Sequence, residues 1–335
     1  MGGTGNLATL VAWGGFILGC VFGAVAILGT YALQVTGQID LAKSFYVRPN
    51  FTWLSYILGG LLFGIGMTLG SGCGSKTLVR IGGGSLKSVV VLVFLGLAAY
   101  MTLKGLFAIW RTSWIDPVAF DLGRRSDVPS LLAAWTSGNP RALQAGVALA
   151  VAAALLVFVF KDREFRGSFD HVLGGTVVGL TIVGGWYVTG HLGFGENPET
   201  LEDAFFGTNS RTIESLSYTA PVGYALELLL LWSDKSLTVT FGIAAVGGIV
   251  LGSFAYALAS RTFRWEGFAG AEDTANHVVG GILMGFGGVT ALGCTVGQGL
   301  TGISTLALGS ILTFAAIVAG AAATMKWQYW RISRE

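Results

Sequence analysis

Long apolar runs broken by short polar turns set the rhythm of this chain. Residues 1–39, 49–75, 142–160, 171–195 and 236–260 contain no Asp, Glu, Lys or Arg, and neither does 274–325. A bilayer core takes roughly 20 helical residues per crossing, so 274–325 holds two spans. A shorter apolar stretch at 88–103 brings the expected number to eight. Tyr218–Trp232 would make a ninth, at the cost of carrying Glu227 into the membrane. Lipid gives the backbone no hydrogen-bond partners, so the spans are read as helices. The predicted fold is all-α, a polytopic integral membrane protein. The first run has no basic segment before it and is too long for a signal peptide's apolar region, so it is read as a retained helix.

A repeat lies inside this pattern. Gly-Gly-x-x-x-Gly occurs at Gly14–Gly19, Gly59–Gly64, Gly174–Gly179, Gly247–Gly252 and Gly280–Gly285. Small residues at this spacing make a flat strip on which helices pack closely. Cys73 lies 14 residues past Gly59, and Cys294 lies 14 residues past Gly280. The preceding strips pair Cys20 with Ser253 in the same way. The chain is therefore expected to be one membrane domain, 1–335, with a first half at 1–110 and a second at 236–335. Connecting helices and polar loops fill 111–235. Internal symmetry of this kind points to two pseudo-symmetric halves around a shared site.

Composition narrows the class. At 53% hydrophobic and 11% charged, with mean hydropathy +0.69, the chain lacks a soluble protein's polar surface. The net charge of +2 says nothing about nucleic acid, and with no basic run present no nucleic-acid partner is expected. Three cysteines without a Cys-x-x-Cys pair exclude a disulfide framework, and no Walker loop is present to use ATP. His171, His191 and His277 are not spaced as ligands, so no metal, haem or other cofactor is expected, and no catalytic constellation marks an enzyme. Lys326, Arg331 and Arg334, beside Trp327, Tyr329 and Trp330, place the C-terminus in the cytoplasm. Lys161, Arg163, Arg166, Arg261 and Arg264 agree. The acidic 196–214 segment, with Glu196, Glu199, Glu202 and Asp203, then faces outside.

The chemistry concentrates at the two cysteines. Four glycines in 66–74 weaken a helix by about 1 kcal/mol each relative to alanine, so the helix is expected to break or turn back there. The following half-helix would present free N–H groups and a favourable dipole to an anion. Gly72, Cys73, Gly74 and Ser75 form this site in the first copy, and Gly293, Cys294, Thr295 and Gln298 in the second. A thiol is a weak donor with a soft, polarizable sulfur, suited to a sulfur- or selenium-bearing ligand. Cys20 is read as a pathway entrance, and Lys76, Arg80 and Lys87 as an electropositive mouth that concentrates anions.

The stretches Gly70-Ser71-Gly72-Cys73-Gly74 through Arg80-Ile81-Gly82-Gly83-Gly84-Ser85-Leu86-Lys87-Ser88, and Ala291-Leu292-Gly293-Cys294-Thr295-Val296-Gly297-Gln298-Gly299 through Gly302-Ile303-Ser304-Thr305-Leu306-Ala307, resemble the YeeE/YedE family of bacterial inner-membrane sulfur transporters. The resemblance covers most of the membrane core and is weak in 105–141 and 196–235. It implies thiosulfate uptake through central cysteines that touch the ion in passing, and a separate cytoplasmic TusA-like sulfur-carrier protein as partner. Relatives linked to selenium keep a selenium compound open as cargo. A membrane thiol oxidoreductase is the alternative class, but it needs a reactive cysteine pair and a quinone or haem site. A scaffold would have no need of glycine breakers at membrane depth.

Overall fold

The structure is a computed structural model that describes residues 4–136, 139–161, 169–196, 201–268 and 270–334. Arg163, Arg166 and Glu199, used above for orientation, lie outside the described residues. In chain order the helices are α1 (Thr4–Val35), α2 (Trp53–Leu69), α3 (Gly74–Gly82), α4 (Leu86–Lys104), α5 (Leu106–Trp110), α6 (Val128–Thr136), α7 (Pro140–Lys161), α8 (Phe169–Tyr187), α9 (Thr219–Leu230), α10 (Phe241–Ala259), α11 (Ala271–Thr290) and α12 (Leu308–Ile332). Strand structure among the described residues is confined to two short antiparallel pairs, Asn50–Phe51 with Phe120–Asp121 and Phe194–Glu196 with Asp203–Phe205.

Six helical stretches among the described residues are long and apolar enough to cross a bilayer: Trp53–Gly82, Leu86–Lys104, Ala142–Lys161, Phe169–Leu192, Phe241–Ala259 and Leu308–Ile332. The chain is a multi-pass, all-α membrane protein. The other two expected spans are helical as well. They are α1, whose apolar part includes Gly19–Val35, and α11, which carries Glu272 and Asp273 in its first turn. The ninth span is corrected. Helix α9 has 12 residues and rises only about 18 Å, too little for a crossing. Its Glu227 is paired, with Lys104 Nζ donating to Oε1 at 2.6 Å.

Helices α2 and α11 form the centre and run antiparallel. A Cβ built on Gly59 would lie 2.5 Å from the Ala291 nitrogen and 2.7 Å from the Gly287 oxygen. A Cβ built on Gly280 would lie 2.5 Å from the Gly70 nitrogen and 2.7 Å from the Gly66 oxygen. These are one contact repeated from either half. The remaining glycines of each strip face outward: Gly60 and Gly64 meet Thr313, Ala316 and Ile317 of α12, while Gly281 and Gly285 meet Val91, Leu95 and Ala98 of α4. The first strip thus packs on α12 and the second on α4, so each cysteine segment's strip is fastened to a helix that follows the other cysteine segment. Without a hydrophobic driving force between helices in lipid, this backbone-close packing is what holds them.

The flanking helices follow the same two-fold pattern. Helix α10 lies on α3, where Gly82 meets Val250, Ser253 and Phe254. Helix α1 lies along the matching segment of the second half, tied by Thr30 Oγ1 donating to Ser304 Oγ at 3.2 Å. Helices α7 and α8 pack on α1, and α9 packs on α4. Cys20 is part of the α1 interface: it sits with Val21 and Val159, against Val25, Leu155 and Val172.

Alanine at Gly64 or Gly285 forces a methyl into the backbone of α12 or α4, an overpacking worth about 1–3 kcal/mol. Each variant should melt several degrees below the wild type in detergent. Gly252→Ala, whose added Cβ meets nothing within 4 Å, should melt with the wild type. Thermal unfolding followed by tryptophan fluorescence compares the three.

Candidate functional site

Both central helices end by the same device. At the end of α2 the Gly72 N–H reaches the Met67 oxygen at 2.9 Å and the Ser71 N–H the Thr68 oxygen at 3.4 Å. At the end of α11 the Gly293 N–H reaches the Gly288 oxygen at 2.8 Å and the Leu292 N–H the Val289 oxygen at 3.1 Å. This crossed pair of bonds terminates a helix through a residue in the left-handed region. That residue is Ser71 in one copy and Leu292 in the other, each at φ 59°. A non-glycine residue there costs about 1–2 kcal/mol, and the packing around the breaks holds it twice.

The chain restarts as a helix at once. Cys73 caps α3, and its carbonyl accepts from the Thr77 N–H at 2.9 Å; the Cys294 carbonyl accepts from the Gln298 N–H at 2.8 Å. Each cysteine therefore stands between a helix that has ended and one that has just begun. The first N–H groups of the new helix have no intrahelical partner, and its dipole favours negative charge. Both thiols belong to one apolar cluster with Phe63, Leu95, Met284 and Tyr218.

The copies differ in detail. Cys294 is fully buried, and its Sγ accepts from the Gly297 N–H at 3.4 Å, the place an N-cap oxygen usually takes. Cys73 is half-buried, and its Sγ meets Ser75 Oγ at 3.2 Å. The half-helix after Cys294 passes through a π-helical turn, Gly297–Gly302, whereas α3 is regular. The equivalent residues Ser85 and Ala307 cap the helices that follow, α4 and α12, and the second copy needs one residue more to get there from its cysteine. A π-bulge absorbs one extra residue without breaking the helix.

The remaining site residues divide by what they bind. Gln298 is committed to the fold: Nε2 donates to the Ala291 oxygen at 2.5 Å, and Oε1 accepts from Ser310 Oγ at 2.6 Å. Thr295 Oγ1 is buried beside Cys294 without a hydrogen-bond partner among the described residues. Gly74 leaves open space, with nothing nearer to an added Cβ than Leu95 at 3.8 Å and Tyr218 at 3.9 Å. Gly72 lies under the stem of Lys76, and Gly293 under Gln298.

The mouth carries less free charge than its sequence suggests. Arg80 donates to the Ser71 oxygen at 3.3 Å and lies 4.0 Å from Glu266, while Lys87 pairs with Glu266 at 3.8 Å and Asp273 at 3.2 Å. Two of the three cations thus hold the fold together, and the exposed Lys76 has no ion-pair partner among the described residues. Cys20, in its aliphatic cluster, is not brought to the central pair. His277 Nδ1 meets the Asp273 carbonyl at 2.6 Å, and His191 stacks on Tyr187.

Sequence reasoning missed the segment Ile213–Tyr218. It runs between α8 and the second half-helix, with Ser215 Oγ donating to the Ile182 oxygen and Thr301 Oγ1 to the Leu216 oxygen, both at 2.7 Å. It ends by placing Tyr218 against both cysteine segments. Pro221, tolerated only in a first helical turn, was the available sign that a short helix begins here rather than a full span.

Two relatives are similar along most of their length. The thiosulfate transporter TsuA of Spirochaeta thermophila is 29% identical over 338 residues, covering 90% of this chain and 86% of its own. The thiosulfate transporter TsuA of Escherichia coli is 27% identical over 294 residues, covering 83% and 74%. The Sulphur transport family matches residues 1–323, almost the whole chain, and this protein belongs to that family.

Proposed function

We propose that this protein carries thiosulfate into the cell across the bacterial inner membrane, past Cys73 and Cys294, with its C-terminus in the cytoplasm. The observation that carries the reading is the pair of equivalent helix breaks, each with a cysteine where one helix stops and the next starts. Family membership supports sulfur as the cargo, and the relatives' names favour thiosulfate over a selenium compound.

The chemistry explains why a thiol suits this position. Thiosulfate and sulfate share charge and approximate shape, but thiosulfate ends in a sulfur that an S–H can meet by a weak hydrogen bond. Sulfate would lose tightly held water and gain no matching contact at a narrow apolar site. Backbone N–H groups and the Thr295 hydroxyl receive the oxygens, and Gly72, Gly74 and Gly293 let the backbone come close. Ser75, bonded to Cys73, orients that thiol on the exposed side. Each contact is weak, so the ion is held and released rather than trapped. A TusA-like sulfur carrier is the proposed cytoplasmic acceptor. Thiosulfate uptake into proteoliposomes, with and without an imposed ion gradient, tests the activity; no uptake under either condition would sink it.

Cys73→Ala and Cys294→Ala should each lower thiosulfate uptake by more than about tenfold, equivalent to at least ~1.4 kcal/mol in the barrier, without admitting sulfate. Serine, harder and shorter, should rescue poorly at both positions. Cys20→Ser should keep partial uptake. Competition assays with sulfate, normalised to protein in the membrane, give the comparison; wild-type flux in either central serine variant would reduce the cysteines to packing residues.

The cations separate by salt. Lys76→Gln should slow uptake at low ionic strength and approach the wild type at high salt, because it acts at long range. Arg80→Gln removes a support of the Ser71 carbonyl, so its loss of rate should persist at every salt concentration. Initial rates measured across a salt series distinguish the two.

A further inference from the structure

At the end of the molecule away from the C-terminus, a cavity of about 220 Å3 descends to Leu292 and Gly293, the break that leads to Cys294. Its wall carries two guanidinium groups, Arg48 and Arg111, the hydroxyls of Ser210 and Ser217, and one carboxylate, Glu214. Arg111 Nε lies 3.6 Å from Asp116 yet is buried without a hydrogen bond among the described residues. Glu214 forms no ion pair with either arginine in the described structure. Its Oε2 accepts from Ser210 Oγ at 2.6 Å. Two cations, the exposed Arg48 and the partly buried Arg111, and a carboxylate thus share one open cavity without neutralising one another directly.

The backbone below Glu214 is held firmly. Thr189 Oγ1 donates to the Glu214 oxygen at 2.5 Å, and Ser215 and Leu216 are fixed to α8 and to the second half-helix as described above. Four residues on, Tyr218 packs in the same buried cluster as Cys294. The segment is a short strut from the cavity wall to the thiol.

We propose that this cavity is a capture site for a divalent oxyanion, and that the anion binds there together with one proton carried by Glu214. The anion is thiosulfate if the function proposed above holds, and the inference rests on that reading. With Glu214 ionised, a bound dianion meets two further carboxylates, Glu214 itself and Asp116 beside Arg111, against the two arginines. Protonating Glu214, which has no ion-pair partner among the described residues, removes one of the repelling charges. Like charges in a poorly screened site repel, and protonating one of them is the usual relief. The neutral carboxyl then gains an O–H that can donate to an anion oxygen. The proton comes from water on the same face, so no other reactant is needed.

Glu214 lies in the loop before α9, outside the spanning helices, and burial pushes its carboxyl up to about 7. The groups that face it or its supports are Arg48, Arg111 with Asp116, Tyr46, Tyr224, Glu227 with Lys104, and His191, which stacks on Tyr187. Burial pushes the Tyr46 and Tyr224 phenols up, so they stay neutral between pH 6 and about 8.5. The protonated fraction of Glu214 rises as pH falls through about 7, so anion affinity should rise in the same direction.

Calorimetry of the purified full-length protein with thiosulfate, from pH 6 to about 8.5, reads the linkage. Wild-type Kd should weaken above neutral pH toward about tenfold per pH unit, the limit for one linked proton. In weakly buffered solution at pH 8, binding should take up about one proton per anion, a measurement that needs no variant. Glu214→Gln, which stays neutral, should bind with a flat pH profile, and Arg111→Gln should bind weakly throughout. Cys294→Ala should keep the pH-dependent binding while losing transport. A Glu214→Gln profile that still slopes like the wild type would overturn the proton link. So would thiosulfate transport with neither slope nor proton uptake, although the function proposed above would then stand. Loss of all binding in Cys294→Ala would show that the cavity is no separate site. Thiosulfate uptake missing at every pH would remove both readings together.

Discussion

Backbone that leaves the helix inside a membrane must be covered by protein, because lipid cannot hydrogen-bond to it. Here the cover is reciprocal: the antiparallel contact of Gly59 and Gly66 with Gly287, Ala291 and Gly280 brings two helices so close that each shelters the other's break. Everything at the site depends on that distance. A side chain at any of these glycines would part the helices, and the broken segments after Leu69 and Thr290 would lose their neighbours. The glycine strips act twice, since their other glycines fasten each strip to a helix that follows the other cysteine segment.

The breaks themselves are conservative structures put to unusual use. Each is a helix end followed directly by a helix start, and the left-handed residue between them is Ser71 or Leu292 rather than glycine. A cysteine at the restart takes the position where serine, threonine or aspartate would normally satisfy free amides. Sulfur accepts hydrogen bonds more weakly than oxygen, so the Gly297 amide at Cys294 is occupied without being saturated. In the proposed pathway an anion would compete with a poor acceptor instead of a good one.

Much of this was legible from the chain. Charge-free runs marked the spans, and equal spacing from glycine strip to cysteine located both breaks, because packing and backbone geometry are local and leave periodic signals. What was hidden depends on partners far away in sequence. Arg80 and Lys87 look like free cations until Glu266 and Asp273 fold against them. Gln298 looks like a ligand donor until Ser310 and the Ala291 carbonyl claim its amide. Tyr218 and Glu214 sit in a polar connection that resembles an ordinary loop, and Tyr218–Trp232 looked like a span because an apolar run does not reveal how deep it begins. Cys20 carries the same side chain as the central pair and follows Gly19, but α1 runs through it unbroken, and it packs among aliphatic residues.

The additional residue in Gly297–Gly302 has a wider meaning. Two identical inverted halves would give a molecule indifferent to direction, in which exchanging the roles of the halves returns the same energy. The π turn removes that equivalence, since only one half-helix contains it and only its thiol is fully enclosed. A conformation with the roles exchanged cannot be isoenergetic with the one described here. The inserted residue therefore adds, at the site itself, to the asymmetry that the unequal flanking helices already give the molecule.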